Sequence, residues 1–185
     1  MNQNNPQARS IDCLPVLKYG NPILRNKVRT IEDFTSIPRI VEQMFETMET
    51  EHGIGLAANQ VGLDLNLMVI DTCNHEEGGE AYIFINAKVL QTEGETIMEE
   101  GCLSIPDIRA EIKRPETIIL KYQDLEQTFY EKQFSGLISR VIQHELDHLK
   151  GKLFIDYLSQ TKRMLINKRL LAISKTGKPS SGIIL

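Results

Sequence analysis

Apolar and polar residues follow two different periods along this chain. Between Ser36 and Thr50, the residues Ile40, Val41, Met44, Phe45 and Met48 recur at helical spacing, the mark of a helix with one buried face. Ser36 and Pro38 mark its start, because proline is tolerated in a first turn, and Gly53 marks its end. A run of strand-like segments follows: Leu67 to Asp71, Tyr82 to Asn86, Lys88 to Thr92, Ile108 to Lys113, Thr117 to Tyr122 and Gln127 to Phe134. The polar Asn74 to Glu80 stretch, with Gly78-Gly79, predicts a hairpin-like loop. Ser135-Gly136 then opens a helix that should end near Gly151. After a short apolar stretch, Leu153 to Tyr157, Ser159 caps a last amphipathic helix through Met164, Leu165, Leu170, Leu171 and Ile173. The order predicts an α+β fold: largely antiparallel sheets around a central helix, plus an N-terminal and a C-terminal helix.

No linker or internal repeat divides the chain, so 1–185 reads as a single catalytic domain, with loose tails at 1–12 and 176–185. Hydrophobic content of 41% and charged content of 25% suit a globular chain with a sizeable core. The net charge of −4 offers no basic field, so direct DNA binding is not expected. Basic residues gather late, as Lys162, Arg163, Lys168, Arg169, Lys175 and Lys178, and no Asp or Glu follows Asp156. No apolar run is long enough for a membrane span, and the first ten residues lack the apolar core of a signal peptide. Three widely spaced cysteines, Cys13, Cys73 and Cys102, argue against a disulfide framework. The expected location is the cytoplasm.

Chemistry concentrates in the helix that follows Gly136. His144 and His148 stand four residues apart, with Glu145 directly after the first. On an α-helix the two imidazoles share a face and can reach one metal ion. Glu145 sits about 100° around the axis, near enough to meet a hydrolytic water without being a ligand. This is the H-E-x-x-H arrangement of metal-assisted hydrolysis.

Such a site needs a third protein ligand. The downstream histidine of the extended H-E-x-x-H-x-x-G-x-x-H pattern would fall on Phe154, which cannot bind metal, and no carboxylate follows Asp156. The ligand must come from upstream, where His52, His75, Cys13, Cys73, Cys102 and several carboxylates are candidates. Cys102, between Gly101 and Leu103, is the best placed, since a turn there can present a thiolate. One sulfur with two imidazoles suits iron(II), zinc, cobalt or nickel. Asp147 reads either as solvated helix surface or as a partner of these ligands, with Arg114 its candidate counter-charge. Arg109 is a candidate for the rim of the site, and His52 for a structural or exposed role.

Three stretches together resemble the signature motifs of the peptide deformylases: Gly53-Ile54-Gly55-Leu56-Ala57-Ala58-Asn59-Gln60, Glu100-Gly101-Cys102-Leu103-Ser104 and Gln143-His144-Glu145-Leu146-Asp147-His148. Gly20-Asn21-Pro22-Ile23-Leu24-Arg25 and Phe84-Ile85-Asn86 are similar to the family too, and the likeness runs from about Leu14 to Leu158. Asn59 and Ala87 depart from it, standing where many members carry proline.

The resemblance implies a metal-dependent hydrolase that removes the formyl group from the N-terminal formyl-methionine of new polypeptides and releases formate. It implies Cys102, His144 and His148 as ligands of one divalent ion, natively iron(II), with zinc, nickel or cobalt as substitutes. Glu145 is implied as general acid/base, with the Gln60 side-chain amide and the Leu103 N–H as oxyanion donors. Backbone groups near Ile54, Gly55 and Gly101 would hold the peptide in extended form, and Ile54, Met98, Leu137 and Val141, with His144, would form the methionine pocket. The expected partners are formyl-methionyl nascent peptides, with a transient ribosome contact suggested by the basic C-terminal helix.

Overall fold

The structure, a computed structural model, describes residues 12–177. The expected tails lie almost wholly outside the described residues, although Thr176 belongs to the last helix. The first helix, α1, spans Ile37–Thr50 and buries Ile37, Val41, Met44 and Met48 on one stripe. Pro38 lies in its first turn, while the Ser36 side chain makes no capping bond.

Seven strands follow: β1 Gly55–Ala57, β2 Leu67–Asp71, β3 Ala81–Glu93, β4 Thr96–Cys102, β5 Ile105–Arg114, β6 Thr117–Gln123 and β7 Phe129–Ser135. They form a five-stranded sheet in the order β1-β2-β3-β6-β7 and a separate β4-β5 hairpin. Every pairing is antiparallel. Among the described residues β1 and β4 each pair on one side only, so each keeps an open edge there.

Two expectations need correction. Tyr82 to Asn86 and Lys88 to Thr92 are one strand, not two. Its ladder to β6 skips between Ile85 and Lys88, and Asn86 takes a left-handed φ of 53°. The Asn86 side chain holds this irregularity in place: Oδ1 accepts from the Ile31 N–H, and Nδ2 donates to Ile31 O and Gln123 Oε1. The strands β1 and β4 were not predicted, because Gly55 and Gly101 break the alternation that would have marked them.

The helix α2, Gly136–Leu149, is the hub. Ile142, Leu146 and Leu149 pack on the large sheet against Ile118, Phe84 and Phe134. Phe84 itself meets the rings of Tyr82, Tyr122 and Phe134. The opposite side of α2 faces the β4-β5 hairpin, so Gln143 to Leu149 is buried all round. The last helix, α3 (Gln160–Thr176), is capped by Ser159 as expected. It is not cleanly amphipathic, however. Ile166, Leu170 and Ile173 pack on Ile105, Ile108 and Phe154, whereas Met164, Leu165 and Leu171 are exposed.

Arg25 joins the N-terminal segment to the turn before α3, donating to Asp156 at 2.5 and 3.2 Å. Burial pushes the Asp156 carboxyl up, but Arg25 and the Leu153 N–H outweigh it and hold the pKa below the usual carboxylate range. A carboxyl depressed on folding adds stability above its unfolded pKa and loses it as pH falls through the folded value. Asp156→Asn should therefore cost ~0.5–1 kcal/mol at pH 7, as partly exposed pairs do. The wild-type advantage should fade below about pH 4. Urea unfolding at both pH values checks this, and a difference that does not change with pH would contradict it.

Candidate metal centre

Two separate elements supply the three candidate ligands. His144 and His148 lie one turn apart on α2, with ring centroids 5.0 Å apart. Cys102 ends β4, where the register shifts: Gly101 alone separates Glu100 from Cys102, whereas residues 106–109 separate their partners Ala110 and Ile105, so the bulge lies on the β5 side. The Sγ of Cys102 lies 3.1 Å from His148 Nε2, and the three ligand atoms all lie within 4.8 Å of one another. Four-coordinate ligand bonds of ~2.0–2.3 Å place donors roughly 3.3–3.8 Å apart, so the cluster fits one ion. Burial, with His144 beside it, drives His148 well below its ordinary pKa and keeps it the neutral imidazole a metal requires.

Behind the ligands lies a buried charge network. His144 Nδ1–H donates to Glu100 Oε2 at 2.9 Å, which turns Nε2 of the ring toward Cys102. Arg114 donates to both Glu100 oxygens, at 2.6 and 3.0 Å, and to Asp147 Oδ2 at 2.6 Å. Arg140 donates to Glu100 Oε1 at 2.9 Å, and the Tyr157 hydroxyl donates to Asp147 Oδ2 at 2.8 Å. Burial pushes the Glu100 carboxyl up, but His144 and Arg114 outweigh it and hold its pKa down at about 2. Asp147 is thus a buried partner, and Arg114 is its counter-charge.

Glu145 occupies a different environment. Burial raises its pKa to about 7, and its Oε2 is buried without a hydrogen-bond partner. A carboxyl poised there can both take and return a proton near neutral pH. Its room comes from Gly55, where a Cβ would lie 2.7 Å from Glu145 Oε1 and from Val141 Cγ1.

Gln60 follows β1 in a 3₁₀ turn, Ala58–Val61. The Ala57 N–H donates to Gln60 Oε1 at 2.8 Å, which fixes the amide and turns Nε2 toward Cys102 Sγ at 3.5 Å and Ser104 Oγ at 3.3 Å. Asn59, one of the two departures from the usual motif, donates from Nδ2 to the carbonyl of His148. It ties this turn to the end of α2.

A cleft of about 520 Å³ opens over the cluster. Ile54, Gly55, Gln60, Gly101, Cys102, Leu103, Leu137, Val141, His144 and Glu145 line it. Met98 is not among its walls. Arg140, Ile105 and Ile108 are, and none of them was anticipated. Arg140 sits in the same helical turn as Leu137 and Val141, and that spacing is the signal in the sequence that points to it. Arg109 and His52 stand at the rim.

Fold and site together define an α+β metal-dependent hydrolase. The profile of the polypeptide deformylase family matches residues 13–164. A peptide deformylase of Zymomonas mobilis is 46% identical over 174 residues, covering 90% of this chain and 98% of the relative. The crystal structure of peptide deformylase from Thermus thermophilus superimposes with a TM-score of 0.82 at 39% identity, covering 89% of this chain and 99% of that one. One from Legionella pneumophila gives 0.82 at 34% identity, with 90% and 98% covered. The chain belongs to the polypeptide deformylase family.

Glu100→Gln weakens the hold on His144 and should lower metal affinity about 10–100-fold. Competition against a chromophoric chelator measures it. Arg114→Met strands two buried carboxylates and should cost ~3–5 kcal/mol in denaturant unfolding.

Proposed function

We propose that this protein, a peptide deformylase, uses Cys102, His144 and His148 to hold one divalent ion and Glu145 to move the proton. The reaction is hydrolysis of the formyl–nitrogen bond of formyl-methionyl nascent polypeptides, releasing formate. The single observation that carries the residue assignment is the Cys102 sulfur beside both histidines of the H-E-x-x-H helix, with Glu145 and Gln60 flanking it. A bound divalent ion supplies a hydrolytic water activated near neutral pH and a Lewis acid for the carbonyl oxygen.

Glu145 takes the proton of the attacking water and returns it to the leaving amine as the carbon–nitrogen bond breaks. The Gln60 Nε2–H and the Leu103 N–H are the donors for the negative charge that develops on the formyl oxygen. Removing one such donor typically costs about 2.7–4 kcal/mol of barrier. The open edges of β1 and β4 both border the cleft, at Gly55 and at Gly101, which supports an extended peptide added there as a strand. Leu137 and Val141, with the Arg140 stem, are the walls for an apolar, flexible methionine side chain.

Iron(II) is the native ion in this reading, with zinc, nickel or cobalt as substitutes. With iron(II) held by the half-buried Cys102 sulfur, the site would be oxygen-sensitive, because the thiolate ligand can itself be oxidised. The described residues form one catalytic unit. Among them no helix is long and apolar enough to cross a membrane, in keeping with a cytoplasmic site of action. The exposed Lys162, Lys168 and Lys175 on α3 favour a weak contact with ribosomal RNA. Co-sedimentation with ribosomes that is lost at raised salt tests it.

Metal-loaded protein, purified anaerobically, should release formate from formyl-Met-Ala-Ser. Glu145→Gln should keep its metal and lose nearly all turnover, whereas Cys102→Ala should lose the metal. Folded, metal-loaded protein that releases no formate would overturn the reading. A near-wild-type rate for Glu145→Gln would overturn the assignment of the base.

A further inference from the structure

Lys18 lies outside all three motifs, yet it is built into the site. Leu103 and Ser104 are the two central residues of the turn between β4 and β5, closed by the Cys102–Ile105 pair. Their carbonyls point out of the ladder and need donors from elsewhere. Both donors come from consecutive residues of the N-terminal segment. Lys18 Nζ donates to Leu103 O at 2.9 Å, and the Tyr19 N–H donates to Ser104 O at 2.8 Å. The residue before them, Leu17, donates its N–H to Gln60 O at 2.7 Å. Three successive residues thus grip the two segments that carry the oxyanion donors, Gln60 and Leu103.

The backbone bonds of Leu17 and Tyr19 could be made by almost any residue. The Lys18 bond depends on the side chain. It is charge-assisted, and charged donors bind a carbonyl more strongly than neutral ones. Glu51 Oε2, 3.6 Å away, faces the same ammonium, but that pair is well exposed and adds little anchoring. On the other side, the Leu103 side chain is pressed against Gly53, where an added Cβ would lie 2.8 Å from Leu103 Cδ1. The turn is therefore held from both sides.

We propose that Lys18 is a positioning residue for catalysis: its ammonium holds the Leu103–Ser104 turn so that the Leu103 N–H stays aimed at the developing oxyanion. The proposal rests on the reading of Leu103 and Gln60 as oxyanion donors. A donor displaced by a fraction of an ångström stabilises the transition state less while the bound peptide is little affected, so the loss falls on kcat and not on KM.

The test is steady-state hydrolysis of formyl-Met-Ala-Ser by anaerobic, metal-loaded Lys18→Met, Lys18→Gln, Lys18→Arg and Gln60→Ala proteins, with metal content and thermal melting measured for each. Lys18→Met and Lys18→Gln should lose about tenfold in kcat, with KM within about twofold and full metal content; a donor removed outright costs about 10²–10³. Two neutral variants are used so that a folding defect in one does not remove the test. Lys18→Arg, which keeps a cationic donor, should recover most of the rate. An unchanged kcat in the neutral variants, with Gln60→Ala still strongly impaired, would overturn the role of Lys18 and leave the oxyanion reading standing. A rise in KM alone would also overturn it, making Lys18 a peptide-binding residue of the rim. Normal kcat in Gln60→Ala would remove the oxyanion reading and the proposal with it.

Discussion

Arg114 grips two carboxylates, Glu100 from β4 and Asp147 from α2, where all three side chains are almost shut off from water, at 3%, 4% and 11% exposure. Such a cluster is not a cheap source of stability, since desolvation offsets most of the attraction. What it confers is position. Each guanidinium bond has one geometry, and together they join the β4-β5 hairpin to the central helix. The candidate metal ligands sit on those same two elements, Cys102 on the hairpin and His144 and His148 on the helix. If the hairpin slid along the helix, the ligand set would come apart, and the buried ion pairs would be left unpaired at the same moment.

The network also sorts two glutamates that the chain places near one another. Glu100 is held ionised at about 2 by Arg114 and His144 despite its burial. Glu145 has no such partner on Oε2, and burial lifts it to about 7. Environments that push two carboxyls apart mark out their different roles. One is a fixed anion that orients an imidazole. The other can gain or lose a proton near neutral pH, as the proposed general base must. The proposed oxyanion donors are held by similar means: Gln60 is turned by the Ala57 N–H, and the Leu103 carbonyl accepts from Lys18.

Much of the site was legible because its chemistry is local. His144, Glu145 and His148 share one helical turn, so spacing alone brings them together. The absence of any acid beyond Asp156 sent the search for a third ligand upstream, where the Glu100 to Ser104 stretch contains Cys102. Glycine obscured the rest. Gly55 and Gly101 broke the alternation of β1 and β4, the very strands whose edges face the cleft. Arginine carried part of the site as well: Arg114, the candidate counter-charge of Asp147, is buried beside it, and Arg140, which was not anticipated, lines the cleft. On α3, Met164, Leu165 and Leu171 matched a helical stripe but remain exposed, because the hairpin accepts only Ile166, Leu170 and Ile173.

By itself, the sequence determined where the helices and most of the strands form, which helix bears the H-E-x-x-H pattern and which donor atoms are on offer. These follow from period, caps and residue type, all of which act over a few neighbouring positions. Only the tertiary structure decided which donors meet. Cys102 and His148, 46 positions apart, stand 3.1 Å from each other because two sheets close on one helix. Burial then set the charge of Glu145 and His148, and Arg114 with His144 set that of Glu100 against burial, since the free energy of an ion depends on what surrounds it and not on what precedes it in the chain. Lys18 has the same origin. It belongs to no motif and lies 85 positions from the carbonyl it holds, and only the folded chain brings the two together.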